Sequence, residues 1–322
     1  MDKNDILNKS LDLINELINQ KNFKKALELT NEIEKKFTDS HEVFSMKGII
    51  QSYLYNFDDA LENFLKAKDL KCSTKTYKIN MAGYYAKRGN YHYNNEDYEE
   101  ALKEFLKVLD FSLDRTEVSF SNIGNTLFKL NKTDEAIKYY KKSLKSLPSY
   151  SVALSNLANL YIELNDFNSA LPYAKKCYDL EPRIPFYVSS YGKVLEGLGD
   201  IPKAEEIFYK LLMIAPSSHN TYYMIGSFLN RIKDNTKIIS LFTSEIKIIE
   251  SHSMLLNILG QAYINIGKID EAVEYLLKGL ELNNENYEIN LSLGKAYKLL
   301  DNEECSKKFI KKSKELLKLS NE

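Results

Sequence analysis

The chain has 322 residues, 44% of them hydrophobic and 28% charged, with a formal net charge of −1. That is an ordinary soluble composition, without the basic excess of a nucleic-acid or anionic-membrane binder. Only 12 glycines and 6 prolines argue against a β-rich or linker-rich design, and Cys72, Cys177 and Cys305 form no CxxC pair. Neither a disulfide framework nor a zinc site is expected, and a reducing compartment fits.

The first residues start acidic, and residues 7–18 alternate apolar and polar positions at helical spacing, unlike a signal peptide. No apolar run approaches the length that crosses a bilayer. A cytoplasmic location is the expectation. From residue 48 onward a small residue recurs with a companion 12 positions later: Gly48 with Ala60, Gly89 with Ala101, Gly124 with Ala136, Ala158 with Ala170. The series continues through Gly192 with Ala204, Gly226 with Ile238, Gly260 with Ala272 and Gly294 with Ser306. From Ala136 to Ser306 the second member advances by 34 at every step, and Ala26 lies 34 before Ala60.

With the companion set at place 20 of each unit, place 4 is bulky at Phe44, Tyr85, Phe120, Leu154, Tyr222 and Leu256. Place 7 is Leu or Ile at Ile123, Leu157, Ile225, Leu259 and Leu293. Place 24 is aromatic at Phe64, Phe105, Tyr140, Phe208 and Phe242, and place 32 is proline at Pro148, Pro182 and Pro216. Places 4, 7, 8 and 11 share one stripe of a first helix, and places 20, 24 and 27 share one stripe of a second. The small residues at places 8 and 20 predict a close approach of the two backbones. Asn or Gly with Asp between the helices, as in Asn165-Asp166 and Gly199-Asp200, ends one helix and caps the next. Pro202 suits a first turn, whereas Pro172 lies deeper in its helix and is expected to distort it.

A 34-residue period with these preferences resembles the tetratricopeptide repeat family over nearly the whole chain. The resemblance implies an all-α fold, a right-handed superhelical α-solenoid of about nine helix-turn-helix units in one array over residues 1–322. The units are expected at residues 7–40, 41–74, 82–115, 117–150, 151–184, 185–218, 219–252, 253–286 and 287–320. The step from Ala60 to Ala101 is 41 rather than 34, so residues 75–81 are expected to lengthen a helix by about two turns. Tyr77, Tyr84, Tyr85, Tyr91, Tyr93 and Tyr98 crowd this region, either as an aromatic contact surface or as packed side chains. The first unit is atypical, with Ile14 at place 8. The last has Asn290 at place 4 and carries Lys307, Lys308, Lys311, Lys312 and Lys314 on its second helix. Those lysines read as a solvated cap or as a basic docking patch.

In the repeat family, places 2, 5, 6, 9 and 13 of the first helix line a concave groove that binds peptides. Here Ser121-Asn122-Ile123-Gly124-Asn125 matches Ser155-Asn156-Leu157-Ala158-Asn159 one unit later. Asn122 and Asn156 hold place 6, while Asn90, Asn125 and Asn159 hold place 9. A primary amide is both donor and acceptor, so a row of them can grip the backbone of an extended peptide. The arrangement resembles the asparagine ladder in the repeats of O-linked N-acetylglucosamine transferase, and nothing in the chain resembles that protein's transferase domain. A carboxylate clamp for chaperone C-termini is not expected, because Ala86, Val152 and Asn156 stand where its basic residues belong.

His41, His92, His219 and His252 have no metal spacing, and no phosphate-binding loop or GxGxxG motif occurs. No catalytic residue, cofactor or metal is therefore expected. The implied function is a non-enzymatic scaffold binding an extended peptide or partner segment at Asn90, Asn122, Asn125, Asn156 and Asn159, with no nucleic-acid partner and no membrane insertion. Alternatives are a self-associating structural scaffold and a receptor for a small regulatory peptide.

Overall fold

The computed structural model describes residues 3–112 and 116–319. Among the described residues all regular structure is helical. The helices form consecutive hairpins: α1 (Lys3–Asn19) with α2 (Phe23–Glu34), α3 (His41–Tyr53) with α4 (Phe57–Asp69), and α5 (Thr74–Asn94) with α6 (Tyr98–Phe111). Next come α7 (Thr116–Lys129) with α8 (Thr133–Ser146), α9 (Ser151–Glu163) with α10 (Phe167–Leu180), and α11 (Pro185–Gly197) with α12 (Ile201–Ile214). Helix α13 (His219–Arg231) has a broken partner, α14 (Asn235–Ser244) and α15 (Ile246–Ile249). The last pairs are α16 (Ser253–Asn265) with α17 (Ile269–Leu282) and α18 (Tyr287–Leu299) with α19 (Glu303–Leu319). Helix α10 runs through Pro172 without a break.

Packing divides the chain into two compact units, residues 1–157 and 158–322. In the first, Ile14, Ala26, Val43 and Ile50 form one buried cluster and Ala60, Phe64, Met81 and Tyr84 another. In the second, the largest cluster gathers Phe208, Tyr222, Phe228, Phe242, Leu256 and Leu259. Within each unit, consecutive hairpins pack their apolar stripes on one another, so stability is shared between those repeats.

One backbone feature recurs in every hairpin. Place 15, between the two helices, has a left-handed backbone at Lys21, Tyr55, Glu96, Asn131, Asn165, Gly199, Lys233, Gly267 and Asp301, with φ from +56 to +80°. The N–H of the next residue bonds the carbonyl five positions back, from Asn22 to Leu17 at 2.8 Å through Asn302 to Tyr297 at 2.9 Å. This closure satisfies carbonyls that the ending helix would otherwise orphan. The first hairpin shares it through Lys21, so its register is the one that Ala26 implies.

The tightest approach within a hairpin joins place 8 to place 24, rather than to place 20 as the sequence pattern suggests. A Cβ built on Gly48 would lie 2.7 Å from the Phe64 ring, on Gly124 2.7 Å from the Tyr140 ring, and on Gly226 2.5 Å from the Phe242 ring. Glycine is present because the ring occupies the space of the missing methyl. The departures obey the same rule: Ala158 faces a hairpin whose place 24 shrinks to Ala174, and Ile14 one whose place 24 is Thr30. All four are buried. Volume is exchanged across the hairpin rather than lost, which keeps packing near interior density.

Helix α5 has 21 residues where α3 has 13 and α7 has 14. Its tyrosines are largely absorbed by packing: Tyr84 is 1% exposed, and Tyr85 stacks on Phe111 at 5.4 Å. Tyr55, Phe57 and Tyr91 form a closed trio with centroids 5.3–6.1 Å apart. The atypical last hairpin is satisfied by polar substitution. The Ser306 hydroxyl donates to the Gly294 carbonyl at 2.8 Å, and the Asn290 amide donates to the Asn286 carbonyl at 2.8 Å.

Candidate peptide-binding site

The five asparagines singled out by sequence lie on first helices: Asn90 on α5, Asn122 and Asn125 on α7, Asn156 and Asn159 on α9. Asn90, Asn122, Asn125 and Asn156 belong to the first unit and Asn159 to the second. Asn90 is exposed and the others are half-buried.

Their hydrogen-bonding states differ. The Asn125 Oδ1 accepts from the Tyr140 hydroxyl at 2.7 Å and from the Asn156 Nδ2 at 2.6 Å. Both lone pairs of that oxygen are thus engaged, which fixes the orientation of both amides. Asn125 is left with its N–H pair and Asn156 with its carbonyl oxygen, neither having a partner among the described residues. The Asn122 and Asn90 amides have no side-chain partner among the described residues. Asn90, Tyr93, Asn94, Phe105, Asn122 and Asn125 line a cavity of about 220 Å³.

The bond from place 9 to place 6 of the next repeat recurs in the second unit. Ser190 donates to Asn159 at 3.1 Å and Gln261 donates to Ser292 at 3.2 Å. Asn257 donates to Glu288 at 3.3 Å, and the Ser292 hydroxyl donates to Asn257 at 2.9 Å. Glu288, an acceptor only, sets the direction of this relay. Asn257, Gln261, Glu288 and Ser292 line part of a cavity of about 430 Å³ with Tyr223, Lys295 and Arg231. Arg231 is held by Glu196 through two bonds, at 2.6 and 2.9 Å. Sequence reasoning missed this second polar face because it tracked asparagine alone. The available signal was spacing: Asn125–Asn156, Asn159–Ser190, Asn257–Glu288 and Gln261–Ser292 are all 31 residues apart.

A cavity of about 520 Å³ in the second unit is lined by Ser218, His219, Asn220, Tyr223, His252 and Met254. The rings of His219 and His252 stack with centroids 5.3 Å apart. Ser251 gives its hydroxyl proton to the Ile248 carbonyl and so accepts from His219 Nε2, both at 2.8 Å. The His252 Nδ1 is buried without a hydrogen-bond partner among the described residues. Burial, and then the neighbouring His219, hold the His252 imidazole below its usual pKa. The folded chain therefore binds this proton less readily than the unfolded one. The stabilisation is complete above the ordinary imidazole pKa of about 6.5 and is lost as pH falls below it. Between about pH 7.5 and about 5.5, thermal unfolding of the parent should shift down more than that of His252→Phe, which keeps the stack without the proton. Equal shifts would remove His252 as the cause.

Cys177 is buried, and desolvation pushes its thiol up to about 12, a packed and unreactive sulfur. Among the described residues no group of three His, Cys, Asp or Glu side chains could hold a metal ion, and no helix is long and apolar enough to cross a membrane.

Tetratricopeptide repeat models match residues 82–114, 118–150, 152–184 and 255–286. Among solved structures, a tetratricopeptide repeat protein from Parabacteroides merdae is similar at a TM-score of 0.60 and 18% identity, covering 75% of this chain and 99% of that one. The C-terminal part of a repeat-containing protein from Cytophaga hutchinsonii matches at 0.57 and 15% identity, over 88% of this chain and 99% of its own. The Pseudomonas aeruginosa protein pilF matches at 0.51 and 15% identity, over 70% and 96%. At these identities the likeness is one of fold. From the matched segments and the hairpin closure repeated at a single register, the chain carries tandem tetratricopeptide repeats.

Proposed function

We propose that the chain is a protein-interaction scaffold that holds an extended partner segment against the first helices of its first unit. The observation that carries this reading is the Asn125–Asn156 bond at 2.6 Å. By locking two amides it leaves a donor on one repeat and an acceptor on the next. An extended peptide offers the complementary pair, a carbonyl and an N–H, at every residue whatever its side chains. Asn122 and Asn90 extend the same chemistry towards α5. The proposed site thus reads backbone at Asn90, Asn122, Asn125 and Asn156, while Asn159 serves the corresponding place in the second unit.

The test uses Asn122→Ala with Asn156→Ala and a fluorescein-labelled nonapeptide of alternating Ser and Ala as probe. Two neutral hydrogen bonds of about 1 kcal/mol each correspond to a loss of about thirtyfold in affinity. An unchanged affinity in a variant whose helical content and unfolding midpoint are retained would dismiss the asparagine reading.

A further inference from the structure

Resting on that reading, we propose that the cavity between α5, α6 and α7 is a specificity pocket for an uncharged, hydrogen-bonding side chain of the partner segment, Gln or Asn. Its lining is Asn90, Asn94, Asn122 and Asn125, with Tyr93 and Phe105, around an open-sided cavity of about 220 Å³. That is room for one side chain and some of its solvent. Phe105 is 2% exposed and forms an apolar wall.

The chemistry of the lining excludes the other occupants. Among the described residues no charged side chain borders the cavity, and three basic side chains of α5 are committed elsewhere. Arg88 donates to the Tyr84 hydroxyl at 3.3 Å, Lys87 lies over the Tyr53 ring at 3.2 Å, and His92 pairs with Asp97 at 3.1 Å. A carboxylate or ammonium entering here would lose water and meet no opposite charge. An apolar side chain would strip water from the amides of Asn90, Asn94 and Asn122, which have no partner among the described residues, and leave them unsatisfied. A primary amide matches the lining in kind, giving N–H groups to the asparagine oxygens and accepting from their nitrogens. The Asn125 oxygen is already filled by Tyr140 and Asn156, so it contributes N–H groups alone and favours a carbonyl at that wall.

The experiment is a host–guest series on the full chain by fluorescence anisotropy. Labelled nonapeptides of the Ser–Ala host carry Gln, Asn, Glu, Lys or Leu at the centre. Gln and Asn guests should bind about tenfold more tightly than Glu, Lys and Leu, a difference of one hydrogen bond. Asn94→Ala, at an exposed position outside the backbone-reading row, should erase the preference while the unsubstituted host still binds as before. Equal binding of all guests, or a Gln preference that survives both Asn90→Ala and Asn94→Ala, would overturn the pocket and leave the backbone reading intact. Failure of every peptide to bind, host included, would overturn both.

Discussion

Truncation of Phe242 to alanine should lower the free energy of unfolding by about 3–5 kcal/mol, read as a fall in the urea or thermal midpoint. The ring is fully buried and stands edge-on to Tyr222 at a centroid distance of 6.3 Å. It fills the place where Gly226 lacks a methyl, so its removal opens a void on both sides of the hairpin. The loss is a large part of the 5–15 kcal/mol typical of folded domains. It falls where stability is passed between adjacent repeats, so neighbouring hairpins should loosen with it. The partner substitution sharpens the test. Gly226→Ala alone places a methyl 2.5 Å from the ring and should cost about 1–3 kcal/mol. In the Phe242→Ala background the same methyl enters the void, and the helical preference of alanine over glycine adds about 1 kcal/mol. The two changes should therefore couple by at least about 1 kcal/mol. Strict additivity would show that place 8 and place 24 do not share one volume.

Changing three lysines of α19 together should convert the chain into one that self-associates. On α17 the positions next to the following hairpin are Val273, Leu277 and Leu280, partly buried against the cluster of Leu276, Ile289, Leu293 and Ala296. One period later the same places hold Lys307, Lys311 and Lys314, all exposed. The side chains of Lys307 and Lys311 are 78% and 81% exposed. Of the two readings available from sequence, this geometry favours the solvated cap: the lysines stand where apolar residues would stack a further helix. It also counts against self-association through this face. Lys307→Val, Lys311→Leu and Lys314→Leu would expose an apolar stripe, each buried side chain favouring association by about 1.5–3 kcal/mol. Sedimentation velocity should show mass rising with concentration in the triple variant and not in the parent. Unchanged sedimentation would mean that the lysines do not guard the face.

The period was legible because sterics impose it on every hairpin: place 8 must be small where place 24 is a ring. Ile14 read as atypical only while place 8 was compared with place 20, and Ala158 is the other place 8 without glycine. Set against Thr30 and Ala174 they follow the rule, so the missing step was a choice of partner and not of information. The left-handed place 15 was less legible. Lys21, Tyr55, Glu96 and Lys233 are not residues that signal such a backbone, which is imposed by the closing hydrogen bond of the helix before it. At the candidate site, sequence located the asparagines and their shared places. That both lone pairs of the Asn125 oxygen are engaged depends on Tyr140, 15 residues away, and on Asn156, 31 residues away. Those distances are set by packing between helices. The polar face around Asn257, Gln261 and Ser292 escaped notice because its members differ in type while keeping one spacing.

The inter-helix turns have an evolutionary consequence. Five of them place a residue other than Gly or Asn at φ between +56 and +63°, a conformation that glycine adopts without the Cβ clash. Each such turn holds up to about 1 kcal/mol that a one-residue change to glycine could recover. These positions are separate from the asparagine row, from the paired volumes at places 8 and 24, and from the lysine stripe. A lineage driven to higher temperature could gain robustness turn by turn along the array while leaving recognition untouched. Tyr55, whose ring is held by Phe57 and Tyr91, would be the slowest of the five to change.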